Sequence, residues 1–513
     1  MLTRVFSAAL HGVDALGVEV EVNEGAGQPK AIIVGLPDAA VKESRDRVFT
    51  ALINSGLRLP KGRLTISLAP ADLRKEGPSF DLPIALGIAA LARKEFFPDH
   101  ALDKCCVAGE LALDGVIRPI KGALSLAIEA KRQGRQAILL PKANAPEAAM
   151  VDGLSVYGLE SLSQAVAFLQ GERSIRPEQV DRERLLQERA KYPFDFSDVR
   201  GQTHVRRALE VAIAGNHNIL LVGPPGTGKS MMAKRLVTLM PPMTEEEAIE
   251  ATQIHSVAGT LDLREGFLAT RPFRSPHHTI SDAGLLGGSS HPSPGEVSLA
   301  HHGILFLDEL PEFRRSTLEV MRQPLEDGRV TISRAAGTYT FLSRFLLVAA
   351  MNSCPCGFLG DPRRECVCAP AQIERYRSKI SGPLLDRIDL QVEVPSVAYG
   401  DLRREEPAES SASIRDRVLK MREIQRRRFA AYPGVTTNSQ MDAAELRKFC
   451  GLDSESDKLL EQAMEQLNLS ARAHSRILKV ARTLADMGGR ETLSPDDVME
   501  AIQYRSLDRK LWA

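Results

Sequence analysis

An eight-residue loop near the middle of the chain combines glycines, a lysine and a serine at the spacing G-x-x-x-x-G-K-S. It follows the apolar run 219–222 and precedes a helical pattern, so a strand, the loop and a helix follow one another. In such a loop the backbone N–H groups face phosphate oxygens, the lysine reaches the β- and γ-phosphates, and the serine binds Mg²⁺. The pattern therefore predicts a site for a nucleoside triphosphate and Mg²⁺, formed by Gly223, Pro224, Pro225, Gly226, Thr227, Gly228, Lys229 and Ser230.

Two acidic residues follow another apolar run. Residues 303–307 predict a buried strand, and Asp308 and Glu309 come directly after it. A carboxylate at the end of such a strand can hold the Mg²⁺ of a phosphate loop. We expect Asp308 to bind Mg²⁺ together with Ser230, and Glu309 to orient and deprotonate the attacking water.

A third apolar run, 345–350, leads to Met351 and Asn352. The side-chain amide of Asn352 could polarise the same water, or it could cap the turn that follows the strand. We favour the first interpretation, which adds Asn352 to the predicted site.

Patterns along the chain predict an α/β protein with several domains. Residues 1–170 alternate strand-like and helical runs, which is typical of a layered α/β domain. Charge peaks over 171–193, which predicts a solvated, partly helical linker. A second α/β domain is expected over 194–395 and an all-helical domain over 396–513. In the first domain, strands are predicted at 31–35, 64–68 and 137–140 and helices at 41–55 and 84–92.

The composition is typical of a globular protein and gives no argument about a nucleic-acid partner. Of the 513 residues 43% are hydrophobic, and 66 basic residues balance 66 acidic ones. The apolar run 82–92 is shorter than the roughly 20 residues that a bilayer span needs. The first nine residues lack the pattern of a signal peptide. We therefore expect a cytoplasmic protein without a membrane partner.

Four of the seven cysteines lie in one short segment with the spacing C-x-C-x₉-C-x-C. Four thiolates can close a tetrahedral Zn²⁺ site that stabilises a loop without a core. The alternative is a set of reduced, unligated thiols, because a spacing of one residue is less usual than two. We favour a structural zinc on Cys354, Cys356, Cys366 and Cys368, and we expect Cys105, Cys106 and Cys450 to be packing residues.

The motifs taken together resemble those of a known ATPase family. The phosphate loop, Asp308 with Glu309, Asn352 as sensor 1 and the segment 384–389 resemble an AAA+ ATPase of the magnesium-chelatase-like branch. More specifically, RPFRSPHH and PGEVSLAHHGILFLDELP resemble the ComM/YifB family, and the resemblance extends along essentially the whole chain. It implies a central AAA+ α/β domain with a C-terminal helical lid, ATP and Mg²⁺ as cofactors, and self-association into a hexameric ring.

The same resemblance implies roles for two arginines. Arg387 corresponds to an arginine finger that enters the site of a neighbouring subunit, and Arg472 to the sensor 2 residue of the lid. Both roles need a guanidinium against a γ-phosphate, where it stabilises the charge of the transition state. As alternatives, Arg387 pairs with Asp386 or Asp389, and Arg476 takes the sensor role.

The N-terminal domain resembles the proteolytic domain of Lon, through residues 76–79 and 109–122. In that family the serine of Gly-Pro-Ser, here Ser79, is the nucleophile, and a lysine activates it. The corresponding position is Leu124, which cannot act as a base. We expect an inactive, protease-like scaffold that serves ring assembly or DNA contact.

The segment 252–302 is rich in histidine, and the helix that follows the second α/β domain is rich in arginine. The histidines lack the H-x₃-H and HExxH spacings, so we favour hydrogen-bonding roles over a metal site. The Gly-, Ser- and Pro-rich stretch 284–295 could be a mobile pore loop that contacts a nucleic-acid backbone. The basic residues of 415–428 form a solvated face or contact phosphates, and we favour the solvated face. The histidines are His255, His277, His278, His291, His301 and His302.

These features predict an ATP-driven ring motor on DNA. The resemblance implies helicase and branch-migration activity in natural transformation, with single-stranded or branched DNA and a recombinase as partners. A chelatase motor that inserts Mg²⁺ into a porphyrin is one alternative, but it leaves the Lon-like domain unexplained. An ATP-dependent protease is another, and the missing lysine argues against it.

Overall fold

The computed structural model describes residues 2–28, 30–91, 96–98, 101–288, 293–334, 337–362, 364–396, 408–467 and 469–507. Within these ranges, no helix is both long and apolar enough to cross a membrane. Several predicted features lie partly outside them, among them residue 92 of the predicted helix 84–92, residues 289–292 of the predicted pore loop and residues 397–407 and 508–513 of the predicted helical domain.

A mixed sheet of seven strands forms the N-terminal part of the molecule. Its strands are β1 (Leu2–His11), β2 (Asp14–Gly25), β3 (Lys30–Val34), β4 (Arg63–Ala69), β5 (Cys105–Val107), β8 (Ala137–Pro141) and β9 (Ser155–Leu159), and β6 (Glu110–Leu111) pairs with β7 (Ile117–Arg118) in a separate hairpin. The order is β3-β4-β2-β1-β5-β8-β9. β1 and β2 form a long antiparallel hairpin, whereas β1, β5, β8 and β9 run parallel. The three strands predicted in this region are confirmed.

Helices cover this sheet and continue into the linker. They are α1 (Ala39–Asn54), α2 (Asp81–Leu91), α3 (Ala123–Arg132), α4 (Ala145–Ala148), α5 (Leu162–Leu169) and, in the linker, α6 (Arg182–Arg189). α1 begins before the predicted residue 41, because the side chain of Asp38 accepts a hydrogen bond from the N–H of Val41 (2.8 Å) and caps the helix. The helix predicted at 84–92 is confirmed over 84–91 as part of α2, and a helix in the linker is confirmed by α6.

A second, fully parallel sheet lies in the central part. Its strands are β10 (Ile219–Val222), β11 (Phe273–Arg274), β12 (Ile304–Leu307), β15 (Leu346–Met351) and β16 (Leu390–Glu393), and a separate antiparallel hairpin pairs β13 (Arg329–Arg334) with β14 (Gly337–Leu342). The order is β11-β12-β15-β10-β16. Because all neighbours run parallel, their carboxyl ends share one edge. The predicted site residues that follow β10, β12 and β15 therefore meet there.

Short helices connect these strands. They are α7 (Thr203–Gly215), α8 (Lys229–Arg235), α9 (Glu245–Ala258), α10 (Asp282–Leu286), α11 (Glu296–Leu299), α12 (Arg315–Glu319), α13 (Arg322–Asp327), α14 (Pro370–Arg377) and α15 (Gly382–Leu385). α10 occupies the start of the stretch predicted as a mobile loop, so that part is helical. A bridge between Gly287 and Pro294 closes the stretch.

Five helices lie in the described residues of the C-terminal part, 408–467 and 469–507. They are α16 (Ser411–Arg428), α17 (Ala443–Phe449), α18 (Ser454–Gln466), α19 (Ala471–Met487) and α20 (Pro495–Gln503). Their apolar residues, among them Ile414, Ile477 and Val498, are buried in one core with residues of α7 and of β10 such as Val211 and Leu221. The C-terminal helices are therefore fixed to the central sheet by a shared hydrophobic core.

The N-terminal part is also attached to the central part. Leu124 and Met150 pack with Met243, Ala248 and Phe267 in a buried apolar cluster between α3 and α9. Polar contacts surround it, since the N–H of Gly122 donates to the carbonyl of Ser256 (3.2 Å) and Arg182 of the linker pairs with both Asp152 and Glu245. The contact between the two parts is thus both apolar and ionic.

Candidate nucleotide site

The phosphate loop joins β10 to α8 and is closed on itself. Gly226 and Gly228 have φ angles of 77° and 87°, a backbone region that favours glycine. The ammonium of Lys229 donates to the carbonyls of Gly223 (2.7 Å) and Pro224 (2.8 Å) and to Oδ1 of Asn352 (3.3 Å). Among the described residues, the lysine thus bonds only to uncharged oxygens. A triphosphate would supply the anionic partner that the ammonium lacks.

Lys229 is nearly inaccessible to solvent, at 8% exposure. Burial lowers its pKa to about 8, and the carboxylate of Asp308 opposes this shift only in part. A phosphate next to the ammonium would favour the charged form and raise the pKa again. Nucleotide binding and the protonation of Lys229 are therefore coupled.

Ser230 and Asp308 form the predicted magnesium pair. The hydroxyl of Ser230, at the start of α8, donates to Oδ2 of Asp308 at the end of β12 (2.5 Å). Mg²⁺ prefers oxygen ligands and commonly takes one or two from the protein and the rest from phosphates and water. The two oxygens fit such an ion, and Ser230 and Asp308 would hold it against the phosphates.

Asn352 reaches the site because of the strand order. β15 lies between β10 and β12, with Val222 paired to Met351, so the next residue lies beside the phosphate loop and the acids. The contact between Asn352 and Lys229 follows from this register. The structure therefore brings Asn352 to the predicted site, at the place from which its amide can contact a γ-phosphate or water.

Glu309 is more exposed than Lys229, Ser230, Asp308 and Asn352. Its side chain is 58% exposed, and its φ of 51° is uncommon for a residue other than glycine. Nδ1 of His278 lies 3.4 Å from its carboxylate. Sequence analysis missed this pairing. The available signal was that His278 shortly follows β11 and Glu309 follows β12, and that these two strands are neighbours in the sheet.

Arg387 lies at the opposite edge of the sheet. It precedes β16, whereas the phosphate loop follows β10, and Ile219 pairs with Leu390. Four residues of strand, about 13 Å, thus separate the two edges. The guanidinium is buried and pairs with Glu326, so neither Asp386 nor Asp389 is its partner as the alternative proposed. The structure does not bring Arg387 to the phosphate loop of its own chain.

The two candidates for sensor 2 lie at the same far edge. Nη1 of Arg472 is 3.6 Å from the carboxylate of Asp386, and Arg476 donates to Asp389 (2.8 Å). Arg472 is 64% exposed, whereas Asp389 is buried and also lies 3.5 Å from His217. Burial would raise the pKa of Asp389, but Arg476 and His217 lower it further than burial raises it. Neither arginine joins the nucleotide site within one chain.

The four clustered cysteines come together next to the site, between β15 and α14. The Sγ atoms of Cys354, Cys356 and Cys366 lie 3.4 to 3.6 Å apart, and the N–H of Cys356 donates to Sγ of Cys368 (3.3 Å). All four sulfurs lie within 4.8 Å of one another. The arrangement is compatible with a zinc site. The other three cysteines are buried, as predicted.

Four of the described histidines of 252–302, namely His255, His277, His301 and His302, make hydrogen bonds. The N–H of Arg344 donates to Nδ1 of His301, so Nε2 of His301 carries the proton and donates to Glu250 (3.0 Å). A metal on that Nε2 would require the proton on Nδ1, where it would face the N–H of Arg344. His302 also contacts Glu250 (2.6 Å). His291 lies outside the described residues.

Ser79 and Leu124, the two residues of the Lon resemblance, serve the packing of the fold. Leu124, at the position of the Lon lysine, is fully buried in the cluster between α3 and α9. Ser79 lies in a short turn, Pro78–Phe80, where its carbonyl accepts from the N–H of Gly109 (2.8 Å). The position that would carry the base now contributes apolar packing to the contact with the central part.

The basic helix α16 is only partly a solvated face. Arg426 and Arg427 are exposed and pair with Glu423, as favoured above. For Arg422 and Arg428 that expectation is wrong, because they donate inward to the carbonyl of Ile213 (2.7 Å) and to Asp486 (2.7 Å), respectively. These inward contacts fix α16 to α7 and to α19.

The parallel sheet, the phosphate loop and the acid pair at one edge, and the attached helices define a P-loop ATPase of the AAA+ class. Comparisons with known proteins agree with this class. Three family models match: "Magnesium chelatase, subunit ChlI" over 195–402, "Subunit ChlI of Mg-chelatase" over 18–144 and "Magnesium chelatase, subunit ChlI C-terminal" over 408–505. The chain belongs to the ComM/YifB family of magnesium-chelatase-like AAA+ ATPases.

Relatives that align over nearly their full length support this assignment. The chain is 44% identical to the uncharacterized protein YifB of Escherichia coli and 43% identical to the competence protein ComM of Haemophilus influenzae; each alignment covers 99% of this chain and 98% of the relative. Two partial matches have other names. Lon protease 2 of Bacillus subtilis is 31% identical over 28% of this chain and 27% of its own length. The Holliday junction branch migration complex subunit RuvB of Trichormus variabilis is 27% identical over 58% of this chain and 75% of its own length.

Proposed function

We propose that this protein is an ATP-driven ring motor that unwinds DNA and moves branch points during the integration of incoming DNA. The observation that carries the proposal is the site at the carboxyl edge of the central sheet. There Lys229 contacts Asn352 and Ser230 contacts Asp308, which brings together a cation, an amide and a magnesium pair of the kind that phosphoryl transfer uses. In the reaction Lys229 and the loop bind the phosphates, Ser230 and Asp308 hold Mg²⁺, and Glu309 takes a proton from water.

The ring part of the proposal rests on where the three candidate arginines lie. Stabilising the charge on a γ-phosphate commonly takes an arginine, and Arg387, Arg472 and Arg476 all lie at the far edge of the sheet. We infer that Arg387 leaves Glu326 and enters the site of the next subunit when a hexameric ring closes. Arg472 would also act on the nucleotide of the next subunit. Such heterologous contacts form rings when the rotation closes.

The DNA part rests on the relatives. The Haemophilus relative is named a competence protein, and RuvB is named a subunit of a branch migration complex. Single-stranded or branched DNA is therefore the proposed substrate, a recombinase the proposed partner and the cytoplasm the proposed location. A balanced net charge is compatible with this, because a ring repeats a few backbone-binding groups around one channel.

The proposed cofactors are ATP, Mg²⁺ and a structural Zn²⁺. ATP and Mg²⁺ are held by the phosphate loop with Ser230 and Asp308. The zinc is held by the four clustered cysteines, whose sulfurs lie close enough to share one ion.

An ATPase assay with three added substrates tests the proposal. Hydrolysis by the full chain is measured with single-stranded DNA, protoporphyrin or unfolded protein, and unwinding and branch migration are measured on forked DNA. DNA should stimulate hydrolysis and the other two should not. Stimulation by protoporphyrin would favour the chelatase alternative, and cleavage of the unfolded protein would favour the protease.

Two variants and a control complete this experiment. Lys229→Ala should abolish nucleotide binding, and Glu309→Gln should bind ATP and DNA but hydrolyse ATP at least about 100-fold more slowly, because the base is lost. Lys234→Ala removes an exposed lysine from the same helix and should retain activity. The DNA-motor proposal fails if the wild-type protein hydrolyses ATP but neither binds DNA nor responds to it.

A further inference from the structure

The cysteine cluster has the dimensions of a site for a single soft metal ion. With Zn–S bonds of about 2.3 Å, tetrahedral geometry places sulfurs about 3.8 Å apart. The observed separations of 3.4 to 3.6 Å among Cys354, Cys356 and Cys366 approach this value. They are far longer than a disulfide bond, at about 2.05 Å. Sulfurs that bind separate irons of an iron–sulfur cluster lie farther apart, so one ion fits best.

The loop also provides hydrogen-bond donors to the sulfurs. The backbone N–H groups of Phe358 and Val367 donate to Sγ of Cys356. The N–H of Cys356 in turn donates to Sγ of Cys368. Zinc binds the thiolate form of cysteine, so such donors favour metal binding. Cys354 is fully buried and closes the site on the protein side.

The cluster is joined directly to the nucleotide site. Cys354 follows Asn352 by two residues, and Ser353 between them is held by its hydroxyl, which donates to the carbonyl of Leu359 (2.8 Å). The carbonyl of Ser353 accepts from Arg377 of α14 (3.1 Å). The segment on either side of Asn352 is thus fixed by β15 on one side and by the cluster loop on the other.

The loop also packs against the phosphate loop itself. Gly357 has a φ of 87°, and a Cβ at this position would lie 2.6 Å from Cδ of Pro225 and 3.8 Å from Cγ of Asn352. A cavity of about 240 Å³ continues this contact and is lined by Gly223 and Pro224 on one side and by residues 359–362 on the other. The cluster loop is therefore one wall of the phosphate site.

We propose that a zinc ion on Cys354, Cys356, Cys366 and Cys368 positions Asn352 and the phosphate loop, so that ATP hydrolysis requires the metal. The inference rests on the proposed ATPase function and extends it to a metal-dependent site. Zinc would take no part in the chemistry, because four thiolates fill its coordination. Asn352 is then the group that touches the nucleotide, and the four cysteines are positioning residues.

The test begins with metal content. Protein purified without chelator is analysed for zinc and iron, then stripped with a chelator and a reversible thiol reagent, and reloaded with Zn²⁺. We expect one zinc per chain and a fall in kcat of about 100-fold on stripping, restored by reloading, whereas the KM for ATP changes much less. Retention of full kcat by stripped protein, or the absence of zinc, would overturn the inference. If the zinc-loaded protein hydrolyses no ATP, it is the proposed function that fails.

Two variants separate positioning from general stability. If the metal acts through Asn352, stripping Asn352→Ala should cost little further activity, whereas independent effects would multiply. Gly357→Ala should retain zinc and its thermal midpoint within a few degrees yet lose activity, because its Cβ would overlap Pro225. Cys105→Ala, at a buried cysteine outside the cluster, should retain both zinc and activity. The positioning role would be contradicted if stripping zinc from Asn352→Ala reduced its activity by the same factor as in the wild-type protein. A normal kcat in a folded Gly357→Ala variant would contradict it as well.

Discussion

The two edges of the central sheet differ in what their charged side chains contact. At the carboxyl edge, Lys229 donates to neutral oxygens and Ser230 donates to Asp308. At the amino edge, Arg387 and Arg476 are already paired with acids of the same chain. Under the proposed function, the arginines of the amino edge act on a nucleotide held by the carboxyl edge of another subunit. The comparison therefore predicts that a single chain binds a nucleotide but hydrolyses it slowly.

Mixing subunits gives the largest expected effect. Arg387→Ala should bind ATP normally but hydrolyse it about 10³-fold more slowly, the loss expected for an arginine finger. The Lys229→Ala variant retains Arg387 but is not expected to bind a nucleotide. Because the two defects lie at opposite edges, mixed rings contain interfaces with both functional halves, and the mixture should recover a measurable fraction of wild-type activity.

Controls define what the mixing result means. Each variant assayed alone sets the baseline, and a mixture of Arg387→Ala with Arg387→Ala/Lys229→Ala should stay inactive, since no subunit supplies the arginine. Without recovery in the informative mixture, the two edges would not cooperate between subunits, and Arg387 would be a structural residue paired with Glu326.

The amino edge itself contains two unequal ion pairs. Arg476→Ala leaves the buried carboxylate of Asp389 without its cation and should lower the free energy of unfolding by about 3–5 kcal/mol. Arg472→Ala removes an exposed contact and should cost at most about 1 kcal/mol. Denaturant unfolding measures both. Adding Asp389→Asn to Arg476→Ala should restore part of the loss, and equal effects of the two single changes would show that burial does not distinguish the pairs.

The carboxyl edge should respond to pH through Lys229. The free ammonium has a pKa lowered to about 8 by burial, and a bound phosphate raises it, so binding takes up a proton above pH 8. ATP affinity should therefore be constant below about pH 8 and fall by up to tenfold per pH unit above it. Titration with a fluorescent ATP analogue from pH 7 to pH 9.5 measures this. Lys229→Arg stays charged and should lack the slope, whereas the same slope in that variant would assign it to another group.

Much of the fold follows from local patterns. The apolar runs at 219–222, 303–307 and 345–350 became β10, β12 and β15, because short apolar runs bounded by turn signals are buried strands in parallel sheets. The inward arginines of α16 did not follow from sequence. A charged helix predicts a solvated face, and only the partners on α7 and α19 show that Arg422 and Arg428 are inside.

Sequence alone determined the residues of the phosphate loop, the acids and the cysteine spacing, because each lies within one short segment whose chemistry depends on residue type. Tertiary structure decided which of these segments meet. Strand order placed Asn352 between Lys229 and Asp308, and it placed Arg387 at the other edge of the sheet, the length of β10 away from the phosphate loop. The cysteine cluster lies beside the nucleotide site because its loop follows β15, which is the neighbour of β10 in the sheet. Contacts between distant segments depend on the order of strands in a sheet, which local sequence does not encode.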